Sequence, residues 1–209
     1  MKKLLFLDLE TTGLDQDNDL ILEVAAVVVD LEFPELRVIE SRSWVVYLEP
    51  EALGKMNAWC LRQHGASGLS SACELSILSL EQVDMDLHRF ILKFWPLAPQ
   101  RGMEEKAVIA GSSIHFDRNF VRRLMPETES LLHYRMLDVS ALGIVFLELG
   151  HNAELPTPHR ALPDCMDSVR ELQEYLGAMH HWKVQGAPKP VPQMPTLAKV
   201  PEDSSGNTH

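Results

Sequence analysis

The chain has 209 residues, 45% apolar and 23% charged, with 30 acidic against 19 basic side chains and a formal net charge of −11. That length and apolar share suit one globular unit with a real core and exclude a mainly disordered chain. No apolar run approaches the roughly 20 residues of a membrane-spanning helix, and the acidic surplus argues against clamping long nucleic acid with a basic face. A small phosphate substrate whose charge is handled by metal ions stays open.

At the N-terminus, Lys2 and Lys3 are followed only by Leu4 to Leu7 before Asp8 interrupts. This is shorter than the apolar stretch of about 7–15 residues in a signal peptide, so the chain is expected to stay unexported, in the cytoplasm. Lys3 to Leu9, Leu20 to Asp30 and Val38 to Leu48 then read as strands, the second carrying Val24-Ala25-Ala26-Val27-Val28-Val29. Thr11-Thr12-Gly13 and Asp15 to Asp19 supply the turn chemistry, which predicts a three-stranded antiparallel meander.

Leu80, Val83, Leu87, Phe90, Ile91 and Phe94 recur at spacings of three and four, an amphipathic helix ending near Pro96. A loop over Pro99 to Lys106 precedes a short buried strand, Ala107 to Gly111, and a helix from Phe116 to Met125. Asp138 is a natural N-cap for a helix running to about Leu149. A last helix is expected from Asp164 to Leu176, carried by Cys165, Val169, Leu172 and Leu176. From Gly186 the composition turns to proline, Lys, Gln, Ser and Gly. Residues 183–209 are therefore read as a flexible tail behind a single domain over 1–182. Strands followed by strand–helix alternation indicate an α/β domain with a mixed sheet flanked by helices. Cys60, Cys73 and Cys165 lack the spacing of a zinc site or disulfide framework and fit a reducing compartment.

Candidate chemistry sits on three separated segments. In Leu7-Asp8-Leu9-Glu10-Thr11-Thr12-Gly13 the alternation of a strand puts Asp8 and Glu10 on one face. Two carboxylates that close repel unless a cation or proton separates them, although solvated acids at a strand exit would show the same spacing. Asp117 follows the strand and turn Ala110-Gly111-Ser112-Ser113-Ile114-His115-Phe116, where a helix opens and an acid also suits the helix dipole. His159-Arg160-Ala161-Leu162-Pro163-Asp164 leads into the last helix, with Pro163 and Asp164 in its first turn.

As a set, these residues resemble the DEDDh 3′–5′ exonucleases, which share a ribonuclease H-like fold. That resemblance implies Asp8, Glu10, Asp117 and Asp164 as metal-binding acids and His159 as general base, acting with two Mg²⁺ or Mn²⁺ ions. Four carboxylates balance two divalent charges, and hard ions prefer oxygen ligands. Two such ions about 3.5–4 Å apart stabilise both the attacking and the leaving oxygen at phosphorus.

Within that group, Asn57-Ala58-Trp59-Cys60-Leu61-Arg62-Gln63-His64 and His133-Tyr134-Arg135-Met136-Leu137-Asp138-Val139-Ser140 resemble segments of the oligoribonucleases. The resemblance implies a homodimer that degrades dinucleotides and very short single-stranded RNA to 5′-mononucleotides. Leu14 would wedge between bases, Trp59 and His64 would line and stack on the base site, and Ser113 would reach the terminal phosphate. Tyr134, Arg135 and Ser140 would come from the neighbouring subunit. Alternatives stay open at single positions, with Trp59 as a core aromatic and Tyr134-Arg135 as a surface pair before a capped helix. Gly111-Ser112-Ser113-Ile114-His115-Phe116-Asp117 and His159-Arg160-Ala161-Leu162-Pro163-Asp164 depart from the usual oligoribonuclease wording. Those departures leave the sugar open, so an exonuclease acting on short DNA or trimming longer 3′ ends is the rival reading. An inactive nucleotide-binding module is a further one.

Overall fold

The computed structural model describes residues 2–96, 106–149 and 159–186. Strands β1 (Lys2–Thr11), β2 (Ile21–Glu32) and β3 (Glu35–Val45) form the expected meander, and β4 (Ala107–Gly111) and β5 (Leu132–Asp138) complete the sheet. The order is β3-β2-β1-β4-β5. The first three strands pair antiparallel, while β4 lies parallel to β1 and to β5, so the sheet is mixed.

Helices cover both faces, which is why the central strands read as nearly continuous apolar runs. On one face Leu5, Leu7 and Leu9 meet α4 (Leu80–Leu92) and α5 (Ile114–Leu124) through Val83, Leu87, Phe90, Phe120 and Val121. On the other, Leu4 and Phe6 meet α7 (Val139–Glu148) and α8 (Ala161–Gln185) through Val139, Phe146, Cys165, Val169 and Leu172. Side chains alternate along β1, so Asp8 and Glu10 continue the face under α8 past its apolar part. A smaller cluster around Leu22, Met56, Cys60 and Leu69 ties α1 (Pro50–Leu53), α2 (Ala58–Ala66) and α3 (Leu69–Leu75) to the end of β2.

The last helix departs from expectation. It begins at Ala161, three residues before Asp164, and runs to Gln185. Pro163 falls at its third position, where a missing N–H costs no helical hydrogen bond. The expected tail boundary at 182 thus falls inside α8, while residues 187–209 and most of the expected loop over 99–106 lie outside the described residues. Five elements went unread: α1, α2, α3, α6 (Pro126–Leu131) and β5, whose residues His133 to Asp138 form one edge of the sheet. Asp138 does cap α7, accepting a hydrogen bond from the Ala141 amide at 3.3 Å.

Candidate active site

Glu10 and Asp8 reach the site from the carboxyl end of β1, and Asp164 from the first turn of α8. One carboxylate oxygen from each lies within 4.8 Å of the others. Oδ1 of Asp164 is buried with no hydrogen-bond partner. An all-oxygen set with an unpartnered acceptor fits a hard divalent cation, and neither cysteine nor histidine belongs to the set.

Asp117 arrives from α5 on the far side of β1. It is buried, and its Oδ1 accepts the Leu9 amide at 2.9 Å. The register with β4 ends at Phe6↔Ala110, so Asp117 completes the hydrogen bonding of β1 beyond that pair. The close approach of these strands requires Gly111, because a Cβ there would stand 2.8 Å from the Leu7 carbonyl oxygen. Asp117 is outside the trio of converging oxygens, yet its charge is felt by Asp8 and Glu10.

Crowding shows in the acidities. Burial, then the charges of Asp117, Glu10 and Asp164, push Asp8 well above the ordinary carboxylate range. Burial, then Asp164, Glu23 and Asp117, raise Glu10 to about 8. Burial raises Asp117 to about 7 against the Leu9 hydrogen bond, which lowers it, and burial raises Asp164 against the opposing pull of His159. Carboxylates gathered this way await positive charge.

His159 stands immediately before the Arg160 cap of α8, in a left-handed conformation with φ of 52°. Its ring meets the edge of Trp59 at 5.4 Å between centroids. Trp59 is held at the start of α2 by Asn57, whose side chain accepts the Trp59 and Cys60 amides, both at 2.9 Å. At 49% exposure Trp59 is not a core residue. Leu14 is 79% exposed on the turn after β1. Asp19 organises that turn, accepting from the Thr12 hydroxyl at 2.7 Å and the Asp15 amide at 2.8 Å. Its carboxylate occupies the space a Cβ on Gly13 would need.

His64 lies deeper than an open base contact would have it. It is 2% exposed, enclosed beneath the site rather than open to a base. Nε2 lies 3.0 Å from the Thr11 carbonyl oxygen and Nδ1 faces Glu10 Oε2 at 3.9 Å. Its contact is therefore with the strand that carries the acids.

Ser140 lies beside Ser113 of the same chain. Gly111 and Asp138 are register partners at the carboxyl ends of β4 and β5, so the turns that follow come together in one chain. The Ser113 amide donates to Asp138 Oδ1 and to Ser140 Oγ, both at 3.1 Å, and the two serine hydroxyls are 3.3 Å apart. Ser140 thus shares a surface with Ser113 of its own chain and needs no neighbour to reach it. Tyr134 and Arg135 lie exposed on β5, with Arg135 Nε donating to the Tyr134 hydroxyl at 3.0 Å.

Two site-proximal residues carry roles that sequence reasoning missed. Glu23 is an acid inside the otherwise apolar run of β2, and that anomaly was its signal. Arg160 is bound to it in a two-pronged pair, both bonds at 2.8 Å.

Comparison with known proteins agrees with this geometry. The family model described as exonuclease matches residues 5–172. An oligoribonuclease of Francisella tularensis is 35% identical over 175 residues, spanning 82% of this chain and 93% of its own. The chain belongs to the oligoribonuclease family of exonucleases. A probable oligoribonuclease of Dictyostelium discoideum is 37% identical over 182 residues, covering 83% of this chain and 88% of that one. Cell-death related nuclease 4 superposes with a TM-score of 0.58 at 15% identity, over 85% of this chain and 64% of its own length, a likeness of fold. Enzymes of this family are hydrolases of phosphodiester bonds that generally work with divalent metals, and the acid cluster is where such ions fit. Among the described residues, no helix is long and apolar enough to cross a membrane.

Proposed function

We propose that this protein is a cytoplasmic 3′–5′ exoribonuclease that hydrolyses dinucleotides and very short oligoribonucleotides to 5′-mononucleotides. The convergence of Asp8, Glu10 and Asp164 within 4.8 Å, beside a histidine in edge contact with an exposed tryptophan, carries this reading. The acids, with Asp117, would hold two Mg²⁺ or Mn²⁺ ions, which would supply positive charge for the attacking and leaving oxygens at phosphorus. His159 takes the proton of the attacking water, an imidazole being able to accept a proton at neutral pH.

The remaining roles follow exposure and reach. Trp59 offers an aromatic edge and face to a base, a contact tolerant of base identity. Leu14 projects from the turn organised by Asp19 and separates neighbouring bases. Ser113 and Ser140 present paired hydroxyls for the terminal phosphate, and Arg135 would supply charge there from the neighbouring subunit.

A homodimer suits the other end of the molecule. Helix α7 is apolar on its outer side, with Ile144 70% exposed and Val145 and Leu147 also uncovered, beside the open edge of β5. Pairing through this face would bury the patch and bring the partner's β5 side chains, Tyr134 among them, to the far end of the substrate.

The deciding experiment is a length series of 5′-labelled RNA and DNA, from dinucleotide upward, with products resolved by chromatography. Preference for diribonucleotides supports the proposal; digestion indifferent to length or sugar favours the rival, and tight binding without product favours the inactive module. Mixing Tyr134→Ala with Asp117→Ala subunits tests the shared site, because half the heterodimer's sites would then be intact. Absence of rescue despite confirmed subunit exchange would remove Tyr134 from the neighbour's role.

A further inference from the structure

Glu23 is 1% exposed and occupies the β2 position paired with Glu10. A second carboxylate buried beside the acid cluster is adverse to any site that must gather acids, unless it is fully compensated. Compensation comes from one short segment. Arg160 Nε donates to Oε2 and Nη2 to Oε1, both at 2.8 Å, and the Ala161 amide donates to Oε2 at 3.1 Å. Both oxygens are engaged, by a guanidinium fork and by the first amide of α8.

The bonded atoms identify what the pair governs. Arg160 is the N-cap residue of α8, yet its side chain makes no capping bond; Glu23 serves in its place, from a different strand. Immediately upstream stands His159, at a positive φ that an ordinary residue adopts only at a cost. Downstream, the Asp164 amide donates to the Arg160 carbonyl at 3.1 Å, closing the turn that delivers its carboxylate to Asp8 and Glu10. One carboxylate on β2 therefore fixes the backbone between the two functional side chains of this segment.

We infer that Glu23 and Arg160 are a positioning pair that docks the head of α8 onto β2 and so aims the His159 ring at the reaction centre. Neither touches the reacting atoms in this role. The alternative use of Arg160, as a cation for substrate phosphate, conflicts with its two-pronged engagement by Glu23. The inference rests on the proposed function only where His159 is read as the base; the docking itself is independent of that.

The test uses the full-length protein with Arg160→Gln, Glu23→Gln and the double variant, which leaves no unpaired buried charge. In metal-free protein, the nuclear Overhauser contact between the His159 and Trp59 rings should weaken in each variant. With Mn²⁺ and a dinucleotide, kcat should fall about 10- to 100-fold with KM nearly unchanged, the scale on which small misplacement of a catalytic group acts. The double variant should lose no more than the worse single one, because each removes the same interaction. Arg160→Lys, lacking the fork, should recover only part of the loss. An intact ring contact with kcat within twofold of wild type in the double variant would overturn the inference. A loss confined to KM would also overturn it and return Arg160 to substrate binding. His159→Ala, measured alongside, separates the two layers. Full activity there removes the base from the proposed function, while the ring contact still decides the docking.

Discussion

Replacing Glu10 by glutamine should make the metal-free protein more stable at neutral pH while depriving it of metal. Burial, then the charges of Asp164, Glu23 and Asp117, hold Glu10 at about 8 against an ordinary 4.5. Between those values the folded protein keeps a proton that the unfolded chain gives up, so stability falls as pH rises through that window. Below about pH 4.5 the group is protonated in both states and contributes nothing. At pH 7 the displacement amounts to about 3 kcal/mol, at about 1.4 kcal/mol per pH unit. Glutamine keeps the shape and cannot ionise, so it avoids this cost. For a chain of this size the gain corresponds to roughly 6–12 °C in Tm. Thermal melts in chelator at pH 7 and pH 4.5 read the effect directly, with the two proteins separating at pH 7 and nearly coinciding at pH 4.5. Adding Mn²⁺ at pH 7 should raise the wild-type melt well above that of Glu10→Gln, because binding to the folded state alone is stabilising. A Glu10→Gln protein no more stable than wild type in chelator at pH 7 would refute the premise of mutually repelling buried acids. So would an equal gain at both pH values.

Three further outcomes follow from the same geometry. His159→Ala should lower kcat by about 10²–10⁴-fold while Mn²⁺ binding, read by calorimetry, stays within a few-fold of wild type. Trp59→Ala should act on KM, raising it by roughly 5- to 150-fold for a dinucleotide, the worth of one stacked base, with little change in Tm for so exposed a side chain. Ile144→Glu should turn the proposed dimer into a well-folded monomer, seen by light scattering after size exclusion, since this side chain is 70% exposed in the single chain. A dimer that persists unchanged moves the interface away from α7.

Legibility followed the local physics. The β1–β2–β3 meander was readable because β-branched runs and a polar turn specify it within a few dozen residues, and α4 because its apolar positions recur at helical spacing. Alternation along β1 put Asp8 and Glu10 on one face, while only the resemblance to the DEDDh exonucleases tied them to Asp117 and Asp164. Long-range pairing was not readable. Strand β5, an edge strand with exposed Tyr134, Arg135 and Met136, carries no apolar run to announce it. The start of α8 was misjudged because its cap is a glutamate 138 residues upstream, which no window of sequence contains. The same blindness hid the surroundings of His64 and Ser140. Whether a ring is open to a base, or a serine shares a surface with another, depends on which strand lies next to which.

Among the described residues, the two non-glycine positions with positive φ, Ser113 and His159, tie these observations together. Each precedes a helix that brings in one of the acids, Asp117 on α5 and Asp164 on α8. Such a conformation persists only where neighbours over-determine it. For Ser113 the neighbours are Asp138 and Ser140, which accept its amide; beside His159, Arg160 and Ala161 are fastened to Glu23. In both cases the chain turns sharply out of extended or loop backbone, so that a helix starts at the carboxyl end of the central strands with its amide dipoles toward the acids. A gentler turn would satisfy the backbone more cheaply but would set the first helical residues farther from β1. The strain is therefore the geometric consequence of bringing carboxylates from opposite faces of one sheet to the same end of one strand.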